Sequence, residues 1–303
     1  MARGEKLWVV RPADGATVGE IVGKLKDPDA IAEGRVFIGK KRATKPTDPV
    51  KPGDAVRVGP PVARDETTIP ILFEGSGLVA VDKPAGLPTV PDHAGSAHAL
   101  VGRVARMLGR PESDLRVTSR LDRDVSGVVV LALDEDAEAR LKNARAEGGY
   151  HRRYVALAAR GSGIGEHGTW DAPIGRSRDP RLRQANGEDA KPSQTRWRRV
   201  EETLLLALLA VDPETGRTHQ IRVHASAAGH ALFGDRDYGG LLRLVGSNGS
   251  IVAPGRIALH AARVTVPDVG GQPITVRAPV PAALRAIWQA AGGRDAAWED
   301  AVS

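Results

Sequence analysis

The block Val128-Val129-Val130-Leu131-Ala132-Leu133 constrains this chain more than any other stretch. It is aliphatic and half β-branched, with no polar alternation. Such a block reads as a strand buried on both faces, which requires a sheet covered on two sides. The residues before it, Val117-Thr118-Ser119-Arg120-Leu121-Asp122-Arg123-Asp124-Val125-Ser126-Gly127, bring a polar cluster to the mouth of that strand. Asp122 stands between Arg120 and Arg123, and two guanidinium groups beside one carboxylate favour its ionised form. On spacing alone the cluster fits either a structural ion pair or a nucleophilic carboxylate at the edge of a rigid sheet.

The chain has 303 residues, enough for one large domain and a small one. It has no cysteine, which excludes disulfides, thiol catalysis and thiolate metal sites. The N-terminus lacks the apolar run of a secretory signal. The longest apolar run, Leu204 to Val211, is far below the ~20 residues that cross a bilayer. A cytoplasmic protein with no membrane partner is therefore expected. A net charge of +6 points to a polyanionic partner.

Residues 1–65 read as a small α+β unit. Val18 to Leu25 has helical spacing, and a short helix is expected over 30–33 with Gly34 as its stop. Strands are expected at Arg35 to Ile38 and Asp54 to Val58, separated by turn residues. Between Gly34 and Pro60 seven Lys/Arg face two Asp, which places much of the excess charge in one segment. Pro60 to Arg64 reads as a linker stiffened by adjacent prolines.

Residues 66–303 read as the larger domain. A strand from Leu78 runs into Lys83-Pro84-Ala85-Gly86, a tight turn of the kind that carries site residues. Lys83 is expected at the surface. Ala97 to Leu108 and Asp134 to Glu147 read as helices. Tyr150 to Ala158 reads as a strand entered through basic residues. Gly175 to Arg199 is rich in arginine and lacks hydrophobic periodicity up to Gln194, so it reads as a mobile insertion. Thr195 to Val200 and Thr203 to Asp212 then form a strand pair. In Gly216-Arg217-Thr218-His219-Gln220-Ile221-Arg222-Val223-His224, Thr218 suits a helix N-cap. Ile221, His224, Ala225 and Ala228 share one helical face, so His224 belongs to the core, while His219, Arg222 and Ser226 fall on another side. The five-residue spacing of His219 and His224 is poor for a shared metal. Pro281 to Ala291 reads as a closing helix, and Gly292 to Ser303 as a frayed tail.

Three of these segments together resemble the RluA-type RNA pseudouridine synthases. They are Arg120-Leu121-Asp122 with Ser126-Gly127 ahead of a strand, the strand bearing Tyr154, and Gly216-Arg217-Thr218-His219-Gln220-Ile221-Arg222. The family's usual His before the Arg and Thr before Ser-Gly are Ser119 and Val125 here. Ala231 replaces the proline of a Gly-x-Pro-x-x-Gly-Asp-x-x-Tyr-Gly segment at Gly229 to Gly239, and Leu259-His260-Ala261 echoes a core strand. Residues 1–65 are similar to the alpha-L RNA-binding domain of a ribosomal protein. The resemblance implies an α+β fold with a mixed, mainly antiparallel sheet, flanking helices and a central RNA cleft, plus the small N-terminal RNA-binding domain.

It also implies a base-flipping isomerase acting on uridine in structured RNA, ribosomal more than transfer. Asp122 would be the nucleophile, Arg222 its partner and Tyr154 a platform for the uracil, a position Tyr150 does not match. Arg120, Arg123, His219, Arg217 and Lys83 would bind substrate. No cofactor and no metal is expected, and the chain is expected to act as a monomer. Two other readings stay open on the residues alone. One is a non-catalytic RNA-binding or ribosome-assembly factor, favoured by Ser119 and Val125. The other is a metal-dependent nuclease using Asp122, Asp124 and His219.

Overall fold

The computed structural model describes residues 6–27, 30–31, 35–39, 41–59, 68–91, 99–159, 163–246, 249 and 251–303. Half of the short helix expected over 30–33 lies outside these residues, as do the whole 60–64 linker and the start of the helix expected from Ala97. The chain divides into two compact units, Met1–Ile69 with Leu87–Leu115, and Pro70–Gly86 with Arg116–Ser303.

The first unit holds strands β1 (Lys6–Val9), β2 (Val36–Ile38), β3 (Lys41–Arg42) and β4 (Ala55–Val58), in the antiparallel order β1-β4-β2-β3. Helix α1 (Val18–Lys24) starts where the Glu20 carboxylate turns back to accept the Thr17 N–H at 2.9 Å. Its apolar side, Val18, Ile21 and Val22, joins Val36, Val56 and Val58 in one core. The Arg42 and Arg57 guanidinium groups both lie over the Phe37 ring, at 5.5 and 5.3 Å from its centroid. Helix α2 (Leu100–Met107) also belongs to this unit.

The second unit is built on β5 (Ile71–Gly75), β6 (Leu78–Lys83), β7 (Arg116–Val117), β8 (Ser126–Ala132), β9 (His151–Ala159) and β10 (His167–Trp170). After these come β11 (Ile174–Arg176), β12 (Arg183–Ala185), β13 (Glu188–Lys191), β14 (Thr195–Glu202) and β15 (Leu206–Pro213). Next are β16 (Leu244–Val245), β17 (Ile251–Val252), β18 (Leu259–Pro267) and β19 (Pro273–Arg277). Its helices are α3 (Glu135–Ala146), α4 (Gln220–Ala227), α5 (Ala282–Ala290) and α6 (Ala297–Val302). The main sheet runs β10-β14-β15-β9-β18-β8-β6-β5, with β19 on β18 and β7 on β8. Only β8 with β18 is parallel among its pairs, so the sheet is mixed and mainly antiparallel.

Every residue of β8 is buried, as its unbroken aliphatic run requires. Val128, Val130 and Ala132 pack with Leu141 of α3, which is capped by the Asp134 carboxylate accepting from Ala137 N–H at 2.7 Å. Val155, Leu157, Leu206 and Leu208 pack with α5 and α6 in a second core. Gly127 permits the parallel junction. With φ +117, a Cβ there would lie 2.2 Å from the Ala261 carbonyl oxygen.

Three expectations are corrected. The basic segment after Gly175 is not an unstructured insertion, because β12 and β13 flank β11 in a small antiparallel sheet, joined to each other through Asn186-Gly187. Its strands are short and polar, so no apolar alternation announces them. The C-terminal residues are not frayed, since α6 buries Trp298, whose ring meets Trp288 edge-on at 6.4 Å. Thr218 is not the N-cap of α4; His219 is, with a left-handed φ of 58°. No helix among the described residues is long and apolar enough to cross a membrane.

Candidate active site

Two turns carry the nucleophile candidate to the sheet edge. Leu121 is buried, which sends its neighbours Arg120 and Asp122 toward solvent. The turn closes through Val125 N–H to the Asp122 carbonyl at 3.1 Å. It is stitched to the turn after β6 by Gly86 N–H to Arg123 O at 2.8 Å and by Arg123 Nε to Gly86 O at 3.0 Å. Lys83 joins both, with Nζ donating to the carbonyls of Pro84 at 2.9 Å and Arg123 at 3.0 Å. Lys83 is fully buried, so the expected surface position is corrected. Burial, then the nearby Arg256 charge, bring its ammonium down to about 7, against the pull of Asp122 and Asp124.

Helix α4 supplies the counter-charge, and its entry is fixed by Gln220. The Gln220 Oε1 accepts from Thr215 Oγ1 at 2.7 Å and Arg217 N–H at 3.0 Å. Its Nε2 donates to Gln194 O at 2.8 Å and Thr195 Oγ1 at 2.9 Å, so the buried amide is fully satisfied. Thr195 Oγ1 in turn bonds His224 Nδ1 at 2.9 Å, and His224 Nε2 reaches Ala172 O at 2.9 Å. His224 is thus the satisfied core histidine expected from its helical face.

Arg222 projects from the other side of α4 into a set of carboxylates. Its Nε and Nη2 each donate to Asp235 at 2.8 Å in a two-pronged pair, and Nη2 also meets Asp237 at 2.8 Å. Only Nη1 reaches Asp122, at 3.4 Å to Oδ2. Burial works against the Arg222 charge, but Asp235, Asp237 and Asp122 together hold the guanidinium above its ordinary value. The ring of Tyr238 lies beneath it at 4.7 Å. Asp235 is completely buried, in a loop whose close approach needs Gly234; a Cβ there, at φ +83, would lie 2.0 Å from the Arg256 carbonyl oxygen.

His219 completes the ring of groups. Its Nδ1 is 2.8 Å from Tyr238 Oη, and its Nε2 is 3.9 Å from Asp122 Oδ2. Tyr238 Oη already accepts the Arg183 N–H at 3.0 Å, so its own proton is best used on His219 Nδ1. That assignment leaves an Nε2–H facing the carboxylate, while the other tautomer would aim a lone pair at it. Burial lowers the His219 pKa, so the ring is neutral near neutral pH even with Asp122 beside it.

Asp122 therefore has one oxygen in two long contacts, while Oδ1 accepts no hydrogen bond among the described residues; the side chain is 24% exposed. Such a group is oriented without being neutralised. Tyr154 lies on β9, buried, on the strand face opposite Val155 and Leu157. Burial raises its hydroxyl pKa, and the Asp122 charge adds to the rise.

The structure thus brings Asp122, Arg222, His219 and Tyr154 into one neighbourhood, with Lys83 behind them. It does not make Arg120 or Arg123 ion-pair partners of Asp122: Arg120 is exposed, and Arg123 turns to Gly86 O. Arg217 donates to Pro192 O at 3.1 Å instead of joining Asp122. Asp235, Asp237 and Tyr238 escape motif reading as site residues. The signal for them is physical: a buried arginine on an apolar helix demands a buried carboxylate.

A carboxylate at the edge of a covered mixed sheet, steadied by a guanidinium and close to an aromatic ring, is an arrangement in which a carboxylate can act on a substrate held beside it. A sequence model of the RNA pseudouridylate synthases matches residues 77–227, a span holding Asp122, Tyr154 and Arg222. The ribosomal large subunit pseudouridine synthase D of Xanthomonas campestris pv. campestris is 33% identical over 283 residues, covering 88% of this chain and 82% of its own. The synthase C of Escherichia coli is 30% identical, covering 86% and 85%. A solved structure of human RNA pseudouridylate synthase domain containing 1 superposes with a TM-score of 0.57 at 26% identity, covering 70% of this chain and 83% of that one. The chain belongs to the RNA pseudouridine synthase family, as an isomerase whose partner is RNA.

Proposed function

We propose that this chain isomerises uridine to pseudouridine in ribosomal RNA, with Asp122 as nucleophile. The observation that carries the reading is the unbonded Oδ1 of Asp122, beside an Arg222 whose strongest bonds go to Asp235. A tight two-pronged bond to Asp122 would stabilise the resting carboxylate and blunt its attack. One long contact aims it instead. The uridine leaves its stack, its uracil lies against Tyr154, and Asp122 attacks the ribose or the ring. The N1–C1′ bond breaks, the base turns, the C5–C1′ bond forms, and the bond that the Asp122 oxygen had made to the ribose or the ring breaks to return the free carboxylate; the C5 proton goes to solvent while N1 gains one. Atoms balance, so neither oxidant nor cofactor enters the scheme.

The ribosomal target is supported by the names of the bacterial relatives. Arg120 and Arg123, exposed on the same turn, are assigned to phosphates near the target. The N-terminal segment, with Arg42 and Arg57 stacked on Phe37, is assigned to further backbone contacts. The chain is proposed to work as a monomer in the cytoplasm, since Asp122, Arg222 and Tyr154 all come from one polypeptide.

The test is tritium release from uracil-5-labelled ribosomal RNA. Wild type releases tritium, and Asp122→Asn releases none while binding RNA equally well. Release by Asp122→Asn at the wild-type rate would remove Asp122 from the chemistry. Binding without release by the wild type would leave the chain an RNA-binding factor.

A further inference from the structure

Beside the Asp122 site the second unit holds a cavity of about 860 Å³, framed by the end of α3, the start of β9, the 213–217 turn and β18. Its walls are heavily cationic. Two of its arginines are neutralised locally, Arg153 by Asp212 at 2.6 Å and Arg196 by Glu214, and Lys142 pairs with Glu138 at 2.6 Å. Four others are not. Arg145 and Arg217 donate to the carbonyls of Thr118 and Pro192, and Arg152 to those of Pro213 and Thr215. Arg263 makes no hydrogen bond or ion pair among the described residues.

Carbonyl oxygens orient these guanidinium groups without cancelling their charge. The Nε of Arg152 is buried with no hydrogen-bond partner. Burial and then Arg152 push down on the charge of Arg145, and burial and then Arg153 push down on that of Arg263. Like charges gathered in this way raise a local positive potential that a multivalent anion relieves.

The position of the cavity selects the anion. Arg152 and Tyr154 are two residues apart on one face of β9, roughly 7 Å along the strand. Arg145 and Arg152 both act on the Tyr154 hydroxyl through space, as Asp122 does. A strand leaving a nucleotide held at Tyr154 and Asp122 therefore meets the cavity within about one residue's length. From this geometry we infer that the cavity is a track for the ribose–phosphate backbone next to the flipped uridine, binding consecutive phosphates without regard to base. The inference rests on the assignment of Asp122 and Tyr154 as the uridine site.

The experiment measures binding of a short fluorescein-labelled single-stranded RNA to the full chain over a salt series, alongside tritium release. The proteins are wild type, Arg145→Gln/Arg263→Gln, Arg145→Lys/Arg263→Lys, and Arg285→Gln as a control at the distant Asp295 pair. The glutamine pair is expected to bind at least tenfold more weakly at low salt. Its slope of log K against log salt should be shallower by about 0.7 per lost phosphate contact, so by about 1.4. The lysine pair should recover most of both, and Arg285→Gln should match wild type. A glutamine pair that melts like wild type yet keeps its affinity and slope overturns the track. So does inorganic phosphate that competes with the RNA at equal phosphate concentration, which would make the cavity a single-phosphate site. A changed slope without wild-type tritium release keeps the track and removes the catalytic reading, whereas release with an unchanged slope removes the track alone.

Discussion

Asp235→Asn tests the central claim about the site, that Arg222 is held by Asp235 so that it can touch Asp122 lightly. Asp235 is completely buried and Arg222 is 5% exposed, so neither is compensated by water. Breaking a buried pair by removing one charge costs about 3–5 kcal/mol. Asparagine keeps one acceptor for the guanidinium, and Asp237 at 2.8 Å remains, so the lower end, about 3 kcal/mol, is expected. For a domain of this size that is a drop in Tm of roughly 6–12 °C. The second consequence is chemical. A guanidinium released from Asp235 closes on Asp122 from its present 3.4 Å, forming a tighter pair with the nucleophile. Tritium release should fall at least tenfold below the variant's melting transition, while the Kd for RNA stays at the wild-type value. Calorimetry and single-turnover release are the assays. A variant that melts within about 2 °C of wild type and keeps full activity would refute the reasoning, because Asp235 would then not be what fixes Arg222.

Other outcomes follow from single contacts. His260 is buried, bonds Ser126 Oγ through Nδ1 at 2.7 Å, and has its pKa brought down to about 4 chiefly by burial. The unfolded chain takes up that proton near 6.5, so stability is intact above 6.5 and falls by about 3 kcal/mol as the pH drops to 4. Urea midpoints of wild type and His260→Gln should converge over that window, and parallel curves would exclude His260 as the cause. Gly127→Ala places a Cβ 2.2 Å from the Ala261 carbonyl, so soluble yield should collapse; a soluble variant with wild-type Tm would show that the β8–β18 junction yields. Tyr238→Phe removes the hydroxyl that sets His219, so nitrogen NMR should show the Nε2–H form in wild type and a mixture in the variant. An Nδ1–H ring in wild type would refute the assignment.

The legible parts of this chain were those where one residue type has one cheap solution. An aliphatic run without alternation could only be the doubly covered β8. The alanine-, glutamate- and arginine-rich stretch from Asp134 to Glu147 could only be a helix, and His224 on the apolar face of α4 could only be core. The link between Asp122 and Arg222, a hundred positions apart, was legible through the motifs that carry them and not through any local pattern. What stayed hidden was partner choice. Arg120 and Arg123 adjoin Asp122 in sequence, but an extended turn points neighbours apart, and the effective cation came from α4. Lys83 looked like a surface lysine because nothing local shows that the carbonyls of Pro84 and Arg123 converge on it. The left-handed turn at His219 was hidden as well, since a threonine one residue earlier offered a conventional cap.

The distribution of charge explains why one protein needs both an acidic and a basic surface. Around Arg222 lie three carboxylates, Asp122, Asp235 and Asp237, and the neighbouring His219 is kept neutral, so the chemical centre carries more negative charge than positive. A centre of that sign repels a polynucleotide, yet it suits a reaction in which positive charge gathers on the ribose as the glycosidic bond opens. The repulsion is offset next door, by the uncompensated arginines along α3, β9 and β18. Replacing a carboxylate at the centre should thus destroy turnover while RNA binding, carried by the arginines next door, stays at the wild-type level. Removing an arginine from the track should weaken binding while leaving the bound complex competent. Acid and base are separated because one surface has to capture an anion and the other has to stabilise a cation.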